Sequence, residues 1–310
     1  MSRTSVVIPS CNYAEYLPAS IESVLAQTDR DFELLIVDDG STDGSLAVAR
    51  SYSDPRVRVI GQPHCGTGAA RNAGIRESRG RYIAFLDADD VWVPKKLAMQ
   101  SELLDRRADI GLVYTRFGVI DADRRVLSSG RSFFGAKPSG TIFRDLLKGN
   151  VIGTMSSICF RRDLVEDQQL RFDDTETYSD DWHFYLRVAA CTRVHYLPRT
   201  LAYHRQHARN TSGHVPTLMA QTLRTGRFGL DLARRQLGFA EPELRRIERR
   251  VLAHAEALAG REYLKAGNRA LARAHAARSL MHQPWSIRET VLYLLASIGW
   301  VPQVVTRHLK

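Results

Sequence analysis

Residues 83–92 read "IAFLDADDVW", an apolar run of strand character that ends in three carboxylates, Asp87, Asp89 and Asp90. Upstream runs have the same form: "SVVIP" at 5–9, "FELLIVDD" at 32–39 and "VRVIG" at 57–61. Between them, and after the last, lie segments with apolar residues at helical spacing: Tyr16 to Gln27, Thr42 to Tyr52, Gly66 to Ser78 and Pro94 to Arg106. Alternating strand and helix signals predict an α/β fold, a mostly parallel sheet flanked by helices. In such sheets ligands bind outside the carboxyl ends of the strands. The acids therefore crowd at the mouth of a binding crevice.

A second acid cluster closes another strand, in "IVDDGSTDG" at 36–44. A turn followed by a helix cap accounts for Ser41, Thr42 and Asp43, whose side chains accept backbone N–H bonds. It does not account for the adjacent Asp38 and Asp39. One N-cap ahead of the helix beginning near Pro94 likewise uses one acid of "DADD", and three are present. Carboxylates one residue apart in a turn can share a hard divalent cation, which prefers oxygen ligands. A cation explains a crowding that would otherwise be repulsive.

Farther along, "IGLVYTRFGVID" at 110–121 and "RVLSSGRSFFG" at 125–135 have the look of a hairpin. After Gly213 the texture changes to Ala, Leu and Arg at helical period, which divides the chain into an α/β domain, 1–215, and a helical domain, 216–310. The net charge of +10 is uneven, with 16 Lys and Arg against 7 Asp and Glu in 216–310. A basic tail suits nucleic acid, anionic lipid or plain solvation. Its arginines lack interleaved aromatic residues, so no nucleic-acid partner is expected. Cys11, Cys65, Cys159 and Cys191 have no C-x-x-C spacing and read as reduced thiols. The opening "MSRTSVVIPS" has no apolar signal region, which suggests a cytoplasmic protein.

The segments "VVIPSCNYAEYLPASIESVLAQTDRDFELLIVDDGSTDGS", "GAARNAGIRESRGRYIAFLDADDVW", "YSDDWHFYLRVA" and "YHRQHARNTS" together resemble the family 2 glycosyltransferases, with their GT-A fold. The resemblance covers about residues 4–212 in the family's order. It implies an inverting transfer of sugar from a nucleotide donor, a UDP-sugar by expectation, to a hydroxyl of a glycan or lipid-linked acceptor in cell-surface polysaccharide synthesis. Pro9 and Asn12 match the motif beside the nucleotide, and Asp38 or Asp39 the acid that reads uracil and ribose. Arg71 and Asn72 match the pair lining the nucleotide and diphosphate pocket. Asp87 and Asp89 match the D-x-D motif that holds Mn or Mg on the diphosphate, with Asp90 behind them. In "SDDW", Asp181 matches the general base, with Asp180 as its neighbour or substitute. Arg205 and His207 match a loop that covers the diphosphate, for phosphate and metal respectively. His64, where many relatives have Asn, and Asp180, where Glu is commoner, depart from the pattern. The Q-x-x-R-W motif of processive synthases is absent, so a single addition is expected.

Other readings have less behind them. "GTGAAR" at 66–71 imitates a dinucleotide fingerprint but has Arg71 in place of the third glycine and follows the third strand. A sugar nucleotidyltransferase needs a glycine-rich basic loop after the first strand, where "SCNYAEYL" stands. A non-catalytic basic binding protein would not need acids at every catalytic position. In the tail, "AGREYLKAGNRALARAHAARSLMHQPWS" resembles a tetratricopeptide-like hairpin with its turn at Gly267. "TVLYLLASIGWVPQVVT" at 290–306 carries no charge and is short for a membrane span. It suits either core packing or an interfacial helix burying Leu292, Leu295, Ile298 and Trp300 against an anionic membrane surface, with the enzyme peripheral on the cytoplasmic face.

Overall fold

The computed structural model describes residues 2–130, 137–173, 179–207, 215–285 and 287–298. Four strands run parallel in the order β3-β2-β1-β4: β1 (Thr4–Ser10), β2 (Phe32–Asp39), β3 (Val57–Gln62) and β4 (Tyr82–Phe85). They are joined by α1 (Leu17–Leu25), α2 (Ser45–Arg50) and α3 (Thr67–Glu77). The three helices fall inside the segments that periodicity marks, and each of the four strands matches its run, β1 reaching one residue beyond it at each end and β3 and β4 at one end. α2 starts later than its apolar period because Thr42 and Asp43 form a turn closed on Asn12. The core between sheet and helices includes Val6, Ile8, Leu34 and Ile36 with Leu17 and Ile21 of α1. α3 lies close on the sheet at Gly74, where a Cβ would stand 2.3 Å from Val7 Cγ1.

β4 leads into β5 (Val91–Trp92) and α4 (Lys96–Arg106). The sheet continues from β4 through β8 (Ile158–Arg161), β6 (Ile110–Ile120), β9 (Arg193–Arg205) and β5, while β7 (Val126–Ser128) pairs with β6. The expected hairpin is thus present as β6 and β7, but it is short. β6 pairs chiefly with β8, antiparallel, and with β9, parallel. β9 has no clean alternation in sequence. Its ladder slips between Leu197 and Thr200, where Pro198 brings no N–H to donate. α6 (Asp163–Asp167) follows β8, and α7 (Asp180–Cys191) precedes β9.

The chain divides into two compact units, Met1–Ile142 with Val151–His207, and Phe143–Asn150 with Ala208–Lys310. The second takes α5 (Phe143–Leu146) from the middle of the chain, a segment that a single division at 215 leaves with the first. Otherwise it consists of α8 (Val215–Gln236), α9 (Glu241–Lys265), α10 (Arg269–His282) and α11 (Ile287–Ile298). α9 and α10 make the expected helical hairpin, turning at Gly267 with φ +77°. Asn268 then caps α10 by accepting from Leu271 N at 3.2 Å. A small core of Ala257, Leu264, Ala272, Ala276 and Ala296 holds α9, α10 and α11 together. Leu295 packs on that core, in contrast to its expected place on a lipid face. The exposed apolar face of α11 is Val291, Leu294 and Ile298 instead. The Leu292 side chain, Trp300 and the rest of the 290–306 run past Ile298 lie outside the described residues. None of the described helices is long and apolar enough to cross a membrane.

Candidate active site

The direction of sheet growth reverses between β1 and β4, and the crevice of such a sheet opens at that point. The β1–β4 ladder ends at Val7 opposite Phe85, while β1 stays paired with β2 as far as Ser10 opposite Asp38. Pro9 therefore lies beyond the β4 ladder, where a missing N–H costs no sheet bond on that side. The strand ends deliver Ser10, Asp38 and Asp39, and the turn after β4 delivers Asp87, Asp89 and Asp90.

In the first cluster the acids and amide are partly engaged by the chain itself. Asn12, at φ +61°, accepts from Thr42 N at 2.8 Å and Asp43 N at 3.2 Å, so it fastens the end of β1 to the turn after β2. Asp39 accepts from Gln62 Nε2 at 2.6 Å, Cys65 N at 2.9 Å and Gly66 N at 2.8 Å, which fixes the loop that starts α3. Asp38 accepts from Ser41 N at 3.2 Å through Oδ2, whereas its buried Oδ1 has no hydrogen-bond partner among the described residues. A buried carboxylate oxygen left unpaired is costly, and a donor group of a bound ligand would satisfy it.

The D-x-D turn rests on Asp90, which is fully buried. Asp90 accepts from Arg205 N at 2.9 Å, His204 Nδ1 at 3.1 Å and Ser156 Oγ at 2.5 Å. Burial opposes charge on His204, but the carboxylate and hydrogen bond of Asp90, with Asp89 and Asp87, raise its pKa to about 9. Asp89 Oδ2 lies 2.9 Å from His207 Nε2, and the His207 ring stacks on Tyr16 with centroids 4.5 Å apart. Asp87, Asp89 and His207 offer oxygen, oxygen and nitrogen donors, a set that fits Mn or Mg.

Arg205 departs from its expected place on phosphate. It is 1% exposed, and its guanidinium donates to the carbonyls of Asp89 at 2.6 Å and Ala122 at 2.7 Å beneath the turn. It acts as a strut for the acids. The 208–212 part of "YHRQHARNTS" lies outside the described residues.

Arg71, on α3, joins the two remaining acid groups. It pairs with Asp87 at 2.8 Å and with Asp180 at the start of α7. Burial opposes its charge, but Asp180 and Asp87 outweigh it and raise its pKa. Asn72 does not line the crevice through its amide. That amide pairs at both ends with Phe172, donating to its carbonyl at 3.0 Å and accepting from its N–H at 2.9 Å. Phe172 in turn lies under the Arg71 guanidinium, 5.3 Å from ring centroid to carbon. Burial and the charge of Asp180 push Asp181 up to about 7, against the pull of Arg71. Burial raises Asp87 to about 6, again against Arg71.

Sequence reasoning missed Thr154 and Ser156. Ser156 Oγ accepts from Asp87 N at 3.1 Å and donates to Asp90, while Thr154 caps the short turn Met155–Ser157 by accepting from Ser156 N at 3.2 Å. Gly153, at φ +101°, was the local signal for a turn there.

Residues 5–168 match the family model described as glycosyl transferase family 2. The chain belongs to that family. Its relatives include an uncharacterized glycosyltransferase of a Nostoc species, 34% identical over 67% of this chain and 66% of that protein. The succinoglycan biosynthesis protein ExoO of Rhizobium meliloti is 34% identical over 60% of this chain and 55% of its own length. The UDP-Glc:alpha-D-GlcNAc-diphosphoundecaprenol beta-1,3-glucosyltransferase WfgD of Escherichia coli is 30% identical over 59% and 68%. The match thus spans less than two thirds of the first two. Among solved structures, S. aureus TarS 1-349 superposes with a TM-score of 0.64 at 17% identity, over 97% of this chain and 93% of TarS. The mannosyltransferase PcManGT of Pyrobaculum calidifontis, in complex with GDP-Man and Mn2+, gives 0.59 at 19%, over 99% and 83%. Both likenesses establish the fold of this family 2 chain, an α/β sheet with a helical C-terminal region. In it the dinucleotide-like "GTGAAR" follows β3, an edge strand, and not a strand at the switch point.

Proposed function

We propose that this chain is a metal-dependent, inverting glycosyltransferase that moves a sugar from a UDP-sugar to a hydroxyl of a lipid-diphosphate-linked glycan. The observation that carries the reading is Arg71, a buried guanidinium paired at once with Asp87 of the D-x-D turn and Asp180 of the SDDW motif. One cation thus ties the diphosphate-binding acids to the pair that supplies the base. Asp181 takes the proton from the acceptor hydroxyl as its oxygen bonds to the anomeric carbon, and the bond from that carbon to the diphosphate breaks on the opposite side. A pKa raised to about 7 suits a general base working near neutrality. Arg71 offsets negative charge gathering on the departing UDP. Mn or Mg, held by Asp87, Asp89 and His207, would supply Lewis-acid neutralisation of the same charge. Of the two acids, Asp38, with its buried Oδ1 available, is the one assigned to reading base and ribose, while the Asp39 carboxylate is spent on the loop before α3.

The acceptor and donor assignment is supported by WfgD, whose name gives UDP-Glc and a diphosphoundecaprenol acceptor. ExoO, a succinoglycan biosynthesis protein, supports a role in polysaccharide synthesis. A lipid-linked acceptor places the enzyme at a membrane, peripheral on its cytoplasmic face. The exposed Val291, Leu294 and Ile298 of α11, at i, i+3 and i+7, form a face suited to an anionic bilayer surface. The test is a screen of nucleotide sugars with Mn or Mg against lipid-diphosphate GlcNAc, scoring product anomer. Metal-dependent transfer from a UDP-sugar with inversion is expected; turnover that is indifferent to chelation, or retains configuration, would refute it.

A further inference from the structure

Three elements meet beside the first acid cluster and bring a thiol, a carboxylate and an imidazole together. Cys11 follows β1, Asp39 ends β2, and His64 lies in the loop between β3 and α3. Their donor atoms all lie within 4.8 Å of one another. Cys11 Sγ is 3.7 Å from His64 Nδ1, and that nitrogen is 2.8 Å from Asp39 Oδ2.

The scaffold under these groups is built. Asp39 is 2% exposed and held by two backbone amides and Gln62. The loop carrying His64 lies directly on Gly40, where a Cβ would stand 2.7 Å from His64 N and where φ is +70°. Fixing the loop needs Asp39, to whose carbonyl His64 Nδ1 adds a contact at 3.1 Å, but it does not need a sulfur at position 11. The His64 side chain is 68% exposed, so a further coordination position opens to solvent.

Bond lengths of about 2.3 Å to sulfur and about 2.1 Å to nitrogen in a tetrahedral zinc site put neighbouring donors roughly 3.3 to 3.7 Å apart. The sulfur–nitrogen pair already has that spacing at 3.7 Å, and the nitrogen–oxygen pair, at 2.8 Å, reaches it by opening about half an ångström. We propose that Cys11, Asp39 and His64 form a second metal site that takes zinc, with water completing the shell. Thiolate and imidazole favour zinc, whereas the D-x-D donors favour the harder Mn and Mg. Binding displaces the thiol proton and clamps the ends of β1 and β2 to the loop before α3.

The test uses the full-length chain stripped of metal. Zinc chloride is titrated by calorimetry, the melting temperature is followed with and without zinc, and cobalt(II) is added to look for a thiolate-to-cobalt absorption band. One equivalent of zinc is expected, with a rise in melting temperature and a cobalt–thiolate band. Cys11→Ser should abolish the band, and Cys11→Ser and His64→Asn should each weaken zinc binding by about tenfold or more, with unchanged melting in the absence of metal. Cys65→Ser and Cys191→Ser, which alter exposed thiols, should keep both band and affinity. Zinc binding of undiminished affinity in Cys11→Ser, a band that survives that change, or no saturable zinc binding by the wild type would each overturn the proposal.

Discussion

The guanidinium of Arg71 and the carboxylate of Asp180 form a buried ion pair between chain positions 109 apart. It couples α3 to α7, and because Asp87 shares the same guanidinium, it also couples the D-x-D turn to the acid beside Asp181, the proposed base. Removing one partner of such a pair leaves a buried charge without compensation and costs about 3–5 kcal/mol. Arg71→Met should therefore lower stability and transfer together, while Arg71→Lys should keep the charge and lose one of the two bonds. Denaturant unfolding beside initial rates separates the two. A fully stable, fully active Arg71→Met chain would contradict the coupling.

Asp181→Asn is nearly isosteric and tests the base. Transfer should fall by about two to four powers of ten with UDP-sugar affinity within a few-fold. If Asp180→Asn behaves that way and Asp181→Asn stays active, the base is Asp180. The wild-type rate should rise with pH through about 7, as Asp181 loses its proton. Stability carries the opposite sign. The folded pKa lies above that of the unfolded chain, so ionising Asp181 disfavours the fold as pH rises from about 4 to about 7. The Asn variant should hence gain melting temperature over wild type across that window and keep the gain above it.

His204 gives a second pH dependence with its own window. Its pKa is raised to about 9 in the fold, so its pairing with Asp90 stabilises fully below about 6.5 and is lost as pH rises through about 9. The difference in denaturation midpoint between wild type and His204→Gln should shrink across that interval. A constant difference from pH 6 to 10 would remove His204 from the account.

Metal binding by the D-x-D acids predicts that UDP binds tightly only with Mn or Mg present. Asp87→Ala and Asp89→Ala should each abolish that dependence in calorimetry. Metal-dependent binding unchanged in both variants would sink the metal assignment.

The parallel half of the sheet was legible because each of β1, β2 and β4 is buried along its length and reads as a largely apolar run, with acids marking the carboxyl ends of β2 and β4. β9 was not legible. Its burial is broken by exposed Pro198 and Arg199, and most of its partners come from a strand some eighty residues earlier. The same limit applies to the site. Asp87, Asp89 and Asp181 stand in local motifs, but whether a polar group faces ligand or chain depends on contacts that sequence does not show. Asn72 meets Phe172 one hundred positions away, and Arg205 meets Asp89 at a similar remove. Both therefore read as ligand contacts until their partners were visible.

The exposed apolar face of α11 is where the proposed membrane attachment is tested. Val291, Leu294 and Ile298 are 47, 55 and 67% exposed, while Ala296 is buried and Leu295 packs on the α9–α10 core. Ending the chain near Glu289 would strip that core of its third helix, so truncation reports on folding as well as on attachment. Replacing Val291, Leu294 and Ile298 together with Ser leaves the inner face intact and isolates the membrane question. Burial of these three side chains stabilises attachment, and each cation near the surface adds about 1 kcal/mol on anionic lipid. Wild type should float with anionic vesicles at low salt and less at high salt, and the triple variant should stay in the soluble fraction. The variant should still hydrolyse its donor, since every assigned catalytic group lies before position 208. Wild type that never floats with anionic vesicles, or a triple variant that floats as well as wild type, would remove the membrane from this face.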